Sequence, residues 1–289
     1  MLIFRMKKSL FVLFTILFIS TTAWAKLNVV VSIQPELEFV QKIGGEKIKT
    51  TLMVPAGKSP HTYEPKATQM KAITHADLYL AIGVEFEKVW LEKFKNQNQH
   101  LIIQDLSKDI NKSAMLPTHE YHDERTQGLD PHIWVDPVRV RQIAKNIYQA
   151  LSQEDPANQA YYLAHLNSYL NELNDLDQEI RSILKEVPKG SVFMVFHPAW
   201  GYFAQRYNLK QLPIEIEGKS PKPRQLIQII KEAKKAQVKA IFTQPEFSDQ
   251  MAQTIAKELK IEVIKTSPLA KAWAKNLLKL ARAIAKGAH

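Results

Sequence analysis

The stretch PANQAYYLAHLNSYLNELNDLDQEIRSILKEV, residues 156–187, decides the fold because it is the longest helical pattern in the chain. Its apolar residues recur at spacings of three, four or seven, which places them on one helix face. They are Leu163, Leu166, Leu170, Leu173, Leu176, Ile180, Ile183 and Val187. Asp155 and Pro156 suit the N-cap and the first turn. A helix of this length spans about 45 Å, so we expect a stiff connector between two lobes and little domain closure.

Short apolar runs alternate with helical patterns on both sides of this segment. The strand-like runs are residues 27–33, 48–54, 78–83, 101–104, 191–196, 212–216, 238–243 and 261–266. The helical patterns between them are residues 35–43, 66–75, 85–95, 199–207, 223–237 and 248–259, with a last one from residue 269. This alternation predicts an α/β fold with mostly parallel sheets. We expect two lobes, residues 26–155 and 188–289, each built on a four-stranded sheet, with helix 156–187 between them.

The first 25 residues have the features of a secretory signal. Three basic residues within positions 5–8 precede an apolar stretch at residues 10–19, and alanines at positions 23 and 25 form an A-x-A-like cleavage site. The apolar stretch is much shorter than the roughly 20 residues that a membrane span needs. We therefore expect cleavage after Ala25 and release of a soluble monomer into the periplasm. An uncleaved N-terminal anchor is the alternative.

The composition limits the classes of partner. The chain has no cysteine, which excludes disulfides, thiolate metal ligands and attachment of a lipid to a mature N-terminal cysteine. Its net charge is +10, of which the signal contributes three, leaving +7. The lysines recur at helical spacing, as in residues 231–239 and 271–279, without interleaved aromatic stacking platforms. We interpret them as solvated helix faces and expect no nucleic-acid binding.

Three histidines follow strand-like runs and are bordered by prolines. His61 lies in SPHTYEP, His132 in DPHIWVDP, and His197 ends SVFMVFH before Pro198. The carboxyl ends of parallel strands are where open α/β sheets bind ligands. A lone histidine there is more often a hydrogen-bonded structural residue, but three together indicate a metal site in the cleft between the lobes. The other histidines fit helix surfaces, a polar loop or the terminus: His75, His100, His119, His122, His165 and His289.

The same motifs carry a family resemblance. In order and spacing, SPHTYEP, DPHIWVDP, FHPAWGYFA, IEIEGKSPKP and SPLAKAWAKNL resemble the metal-binding solute receptors of ABC transporters, the zinc and manganese receptors of ZnuA/TroA type. The resemblance covers essentially the whole chain after the signal. It implies two lobes joined by one long backbone helix, a transition-metal ion held in the cleft, and delivery of that ion to a membrane permease. His61, His132 and His197 stand where the family has its three imidazole ligands.

The fourth ligand position departs from the family pattern. Many members have Asp-Pro-Leu near the C-terminus with a ligating aspartate, whereas this chain has Ser267, Pro268 and Leu269. A serine hydroxyl is a poor, neutral ligand. We expect water in the fourth position or, alternatively, Glu246, which follows the strand-like run 238–243.

The type of ligand indicates the metal. Three neutral imidazoles suit zinc, whereas manganese prefers oxygen ligands and is the less favoured alternative, with iron. Since imidazole binds metal only when neutral, we expect affinity to fall below about pH 6. The His- and acid-rich loop HEYHDE, residues 119–124, either gathers metal, as similar loops in the family are thought to do, or is a polar insertion.

The sequence leaves two functions of other classes open. Three protein ligands with an open position also build a catalytic zinc site, but HExxH, GxSxG and cysteine–histidine signatures are absent from the sequence. An adhesin on the same fold is the other alternative, against which the missing lipid-anchor cysteine argues. We expect a receptor and not an enzyme.

Overall fold

The computed structural model describes residues 26–115, 128–216 and 219–287. These residues form two lobes, each with a four-stranded sheet in which every strand pair is parallel. The α/β fold class and the two sheets predicted from the sequence are confirmed. The signal segment and the loop 119–124 lie outside the described residues.

The first lobe is built on buried β-branched and leucine residues. Its strands are β1 (Leu27–Val31), β2 (Ile48–Leu52), β3 (Leu78–Ala81) and β4 (Ile102–Asp105), in the order β2-β1-β3-β4. Its helices are α1 (Gln34–Gly44), α2 (Ala67–Ile73) and α3 (Glu85–Gln97). Val29, Val30 and Val31 are almost completely buried, as expected for a central strand covered by helices on both faces.

Two long helices follow the first lobe. They are α4 (Pro137–Glu154) and α5 (Gln159–Ile183), which pack against each other. The sequence predicted α5, but its N-terminus differs. Residues 156–158 form a separate 3₁₀ turn, and the Asp155 carboxylate accepts hydrogen bonds from Asn158 Nδ2 and Tyr162 Oη instead of capping the α-helix. The helix is therefore about 38 Å long, shorter than predicted.

The second lobe repeats the architecture of the first. Its strands are β5 (Val192–Val195), β6 (Lys210–Pro213), β7 (Ala240–Thr243) and β8 (Glu262–Lys265), in the order β6-β5-β7-β8. Its helices are α6 (Gly201–Arg206), α7 (Pro223–Lys235), α8 (Gln250–Leu259) and α9 (Trp273–Gly287). None of the helices among the described residues is both long and apolar enough to cross a membrane.

The helices of the second lobe cover opposite faces of its sheet. Apolar residues of α7 and α8 form one buried cluster, whereas those of α6 and α9 join the large cluster that includes the first lobe and α5. Trp273 of α9 packs edge-on against Phe39 of α1, with ring centroids 4.9 Å apart. The C-terminal helix therefore belongs to the second lobe in sequence but packs against the first.

Candidate metal site

His61 lies on the loop between β2 and α2. Gln69 near the start of α2 ties this loop together, since its Nε2 donates to the carbonyl of Leu52 (3.0 Å) and its Oε1 accepts from Tyr63 Oη (2.7 Å). The His61 side chain is 35% exposed, and its Nδ1 lies 3.9 Å from Glu85 Oε2 at the start of α3. His61 is thus the accessible histidine of the three.

His132 lies on the buried segment that precedes α4. Its backbone N–H and its ring Nδ1 both hydrogen-bond to Asp130 Oδ1, at 2.9 and 2.7 Å. Two residues further on, the Trp134 indole donates to the carbonyl of Pro268 in the second lobe (2.9 Å). The segment is therefore held on both sides of His132, and because a carboxylate only accepts, Nδ1 of the ring carries the proton and Nε2 is left free.

His197 lies two residues after the end of β5 and is buried. Its Nδ1 hydrogen-bonds to Glu215 Oε2 at 2.9 Å, and its ring stacks on Phe247 at a centroid distance of 5.0 Å. Its Nε2 is buried without a hydrogen-bond partner. A buried nitrogen with a free lone pair is costly unless something binds it, so this atom points to a ligand.

The structure brings the three predicted histidines together. One ring nitrogen from each lies within 4.8 Å of the other two, and the ring centroid of His197 is 5.4 Å from that of His61 and 5.3 Å from that of His132. Within the described ranges, no other set of three or more histidine, aspartate or glutamate side chains meets this condition. The histidines line a small cleft pocket whose walls come from both lobes, including Trp134, Phe247 and Pro268.

The pocket favours neutral imidazoles. Burial lowers the pKa of His61 to about 4, and repulsion from His197 and His132 in their protonated forms adds to this effect. Burial also lowers the pKa of His197, although the hydrogen bond to Glu215 partly opposes the shift. Because only the neutral ring can bind a metal ion, two of the three side chains are held in the ligand form at neutral pH.

Glu246 and Ser267 form a pair beside the histidines. Ser267 Oγ donates to Glu246 Oε1 (2.8 Å) and accepts from the backbone N–H of Leu269 (2.9 Å). Glu246 lines the pocket, its Oε2 is buried without a partner, and burial raises its pKa. The carboxylate does not belong to the close group of three histidines, and the serine hydroxyl is already engaged.

Sequence reasoning missed the two carboxylates that orient the histidines. Asp130 could have been found, because it lies two residues before His132 in the same motif. Glu215 lies 18 residues after His197, and only the pairing of β5 with β6 brings it close. His75, His100 and His165 are outside the group, as predicted, whereas His119, His122 and His289 are outside the described residues.

Comparison with known proteins agrees with the fold and the motifs. The family model described as "Zinc-uptake complex component A periplasmic" (ZnuA) matches residues 29–287. The chain belongs to the ZnuA family. Among its relatives, the high-affinity zinc uptake system protein ZnuA of Bacillus subtilis is 33% identical over 83% of this chain and 78% of its own length. The zinc-binding protein AdcA of Streptococcus pyogenes is 27% identical over 86% of this chain, which spans about half of AdcA.

Solved ZnuA structures have the same fold. A ZnuA crystal structure superposes with a TM-score of 0.86 at 38% identity and covers 92% of this chain and 100% of that one. A zinc-bound deletion mutant of ZnuA superposes with a TM-score of 0.85 at 38% identity, over 91% of this chain and 98% of that one. The chain thus resembles ZnuA proteins both in sequence and in the two-lobe architecture.

Proposed function

We propose that this protein captures a zinc ion between its lobes in the periplasm and delivers it to the membrane permease of an ABC transporter. The observation that carries the proposal is the group of three imidazoles from both lobes, with His197 Nε2 buried and unpartnered. Membership of the ZnuA family and the zinc-uptake relative at 33% identity support it. The protein acts as a monomeric receptor and not as an enzyme.

His61, His132 and His197 are the proposed ligands. Tetrahedral zinc with Zn–N bonds of about 2.0–2.1 Å places its ligand nitrogens about 3.4 Å apart, whereas the three nitrogens here lie within 4.8 Å. The group therefore needs to contract only slightly around the ion. His61 supplies this movement, because its side chain is partly exposed while carboxylates hold His132 and His197.

Water or Glu246 fills the fourth position in this proposal. Glu246 Oε2 is unpartnered on the pocket wall, and Ser267 holds the other carboxylate oxygen. Replacing Glu246 with glutamine removes the charge and keeps the shape. A loss of zinc affinity of tenfold or more identifies the carboxylate as the ligand, and an unchanged affinity assigns the position to water.

Zinc is preferred to manganese because the site is built from nitrogen. Imidazole suits zinc, whereas manganese favours carboxylate and carbonyl oxygens. The two carboxylates nearest to the imidazoles, those of Asp130 and Glu215, already accept hydrogen bonds from the Nδ1 atoms. They increase the basicity of the ligands without contributing oxygen to the ion.

Competition calorimetry on the metal-stripped protein tests the function. We expect one tight zinc site, little response to manganese, and a loss or strong weakening of that site in His132→Ala. His75→Ala is the matched control, since His75 is exposed and lies outside the group. A preference for manganese, or zinc binding that survives in His132→Ala unchanged, would contradict the proposal.

A further inference from the structure

The charge of the chain is divided unequally between its parts. Residues 26–187 contain 18 lysines and arginines and 22 acidic residues, a net charge of −4. Residues 188–289 contain 18 lysines and arginines and only 7 acidic residues, a net charge of +11. Such an asymmetry orients a protein in front of a charged surface, because one end is attracted while the other is repelled.

The basic charge of the second lobe includes a stripe on α9. Helix α9 contains no acidic residue. Its basic residues are spaced three or four apart, so their side chains leave the helix within a sector of about 80° on one side. The stripe consists of Lys271, just before the helix, and Lys275, Lys279, Arg282 and Lys286. All five side chains are exposed. They form a row about 22 Å long along the surface.

The surroundings of the stripe leave most of its charge unneutralised. Arg282 pairs with Glu179 at 2.8 Å, and Lys286 lies 3.9 Å from Glu262. Lys279 Nζ donates to the backbone carbonyl of Lys265 and keeps its charge, whereas Lys265 itself pairs with Asp249 at 3.4 Å. No ion pair of Lys271 or Lys275 occurs in the part of the chain that the structure describes.

The other side of α9 cannot take part in binding. Trp273, Leu277, Leu280 and Ile284 are buried in the core, so the helix has no free apolar face to insert into a bilayer. Any contact through the stripe is therefore electrostatic, superficial and reversible. A lysine ammonium is a compact charge on a flexible side chain, which can follow a surface of diffuse negative charge. Here the basic side chains lie along a convex helix and form no shaped pocket for a single small anion.

We propose that the α9 stripe binds the surface of a bilayer containing anionic phospholipids. In this arrangement the basic second lobe faces the membrane and the acidic first part of the chain faces away. Reversible attraction would keep the receptor close to the membrane without fixing it there. The proposal goes beyond metal capture and does not depend on it.

Vesicle co-sedimentation of the mature protein tests the proposal. At about 0.05 M salt we expect binding to vesicles with 30% phosphatidylglycerol and none to pure phosphatidylcholine vesicles. Each lysine near an anionic surface strengthens binding about fivefold, so Lys271→Gln, Lys275→Gln and Lys279→Gln together should weaken it by tenfold or more. Binding should also disappear at about 0.5 M salt, where charges are screened over a few ångströms.

A charge-matched variant separates the stripe from the overall charge. Lys222, Lys231 and Lys235 are exposed residues at or on α7, which covers the opposite face of the same sheet. Replacing these three with glutamine lowers the net charge equally and should leave vesicle binding within about twofold of the unmodified protein.

Three results would overturn the proposal. They are no binding to the anionic vesicles, equal binding to both kinds of vesicle, and equal weakening by the α7 and α9 variants. In the first case the stripe would be a solvated face or a contact for a protein. Zinc titration of the same variants in solution should show unchanged affinity, so a failure of metal binding would be visible separately from a failure of lipid binding.

Discussion

At the residue scale, the two carboxylates behind the histidines determine which ring nitrogen faces the cleft. Asp130 and Glu215 each accept a hydrogen bond from an Nδ1 atom, which fixes the ring orientation and leaves Nε2 as the proposed ligand atom. Such partners of metal-binding histidines typically contribute 10–100-fold to affinity. In the proposed site these hydrogen bonds therefore contribute to zinc affinity, although neither carboxylate touches the ion.

Glu215→Gln tests this contribution. The amide can still accept the hydrogen bond but lacks the negative charge, so we expect zinc affinity to fall about 10–100-fold with little change in the thermal stability of the metal-free protein. Competition calorimetry and a melting curve measure the two quantities. Glu258→Gln is the control, because Glu258 forms an exposed ion pair with Lys234 on the same lobe, and such pairs contribute little. Equal affinities of the two variants would show that Glu215 is not involved.

The pH dependence of zinc binding follows from the lowered histidine pKa values. An ordinary histidine with a pKa near 6.5 predicts loss of affinity below about pH 6. The pKa of His61 is lowered to about 4 and that of His197 is also lowered, so at these two rings protons compete with zinc only at more acidic pH. We expect zinc affinity to be retained to about pH 5 and lost towards pH 4. Zinc titrations at pH 7, 6, 5 and 4.5 measure this, and half-loss already at pH 6 would contradict it.

The same shifts determine how the metal-free protein responds to acid. The unfolded histidines titrate near 6.5 and His61 in the folded state near 4, so between these values the unfolded chain binds more protons. The stabilisation from the neutral rings is therefore complete above pH 6.5 and decreases as the pH falls. The metal-free protein should lose stability over this window.

At the element scale, helix α5 shows which of its residues form the core. The sequence pattern included Leu163, but this residue is 43% exposed, whereas Leu173 is 1% exposed. Tyr162 and Tyr169, which a count of aliphatic residues omits, are buried instead. The buried face of α5 is therefore rotated about the helix axis relative to the face that the leucine spacing alone indicates.

A pair of substitutions measures this difference. Leu173→Ala should lower the free energy of unfolding by about 2–5 kcal/mol, because it leaves a cavity in the large buried cluster. Leu163→Ala makes the same chemical change at an exposed position and should cost less than about 1 kcal/mol. Urea unfolding of both variants gives the values. Comparable losses would mean that α5 packs as the leucine pattern alone suggests.

Most elements could be predicted from the sequence, and the exceptions have physical causes. Apolar runs predict all eight strands to within three residues at each end, and the largest difference is at β6, whose pairing with β5 starts at Lys210 and which ends at Pro213. Helix α4 was missed although Val140, Ile143 and Ile147 recur at helical spacing. The contact of α9 with α1 could not be predicted, because it depends on how the lobes pack. The domain boundaries themselves stay a prediction.

At the scale of the whole molecule, the lobes are connected by more than one helix. The Arg206 guanidinium of α6 binds both carboxylate oxygens of Asp136, the residue that caps α4, at 3.0 and 3.1 Å. The Trp273 indole donates to the carbonyl of Trp134 (2.8 Å), while Trp134 donates to Pro268. These contacts cross between the lobes close to His132, so a large rotation would have to break several buried or partly buried hydrogen bonds at once.

This network predicts how the receptor responds to its ligand. Breaking the Arg206–Asp136 pair leaves the buried Asp136 carboxylate without that cation, which is costly. A large movement gains little, because the three proposed ligand nitrogens already lie within 4.8 Å of one another. We therefore expect the lobes to rotate by less than about 15° between metal-free and zinc-loaded crystals, with the main change in the loop that carries His61. A larger rotation, with the Arg206–Asp136 pair broken, would mean that the cleft closes as a hinge and that these contacts stabilise only one of two states.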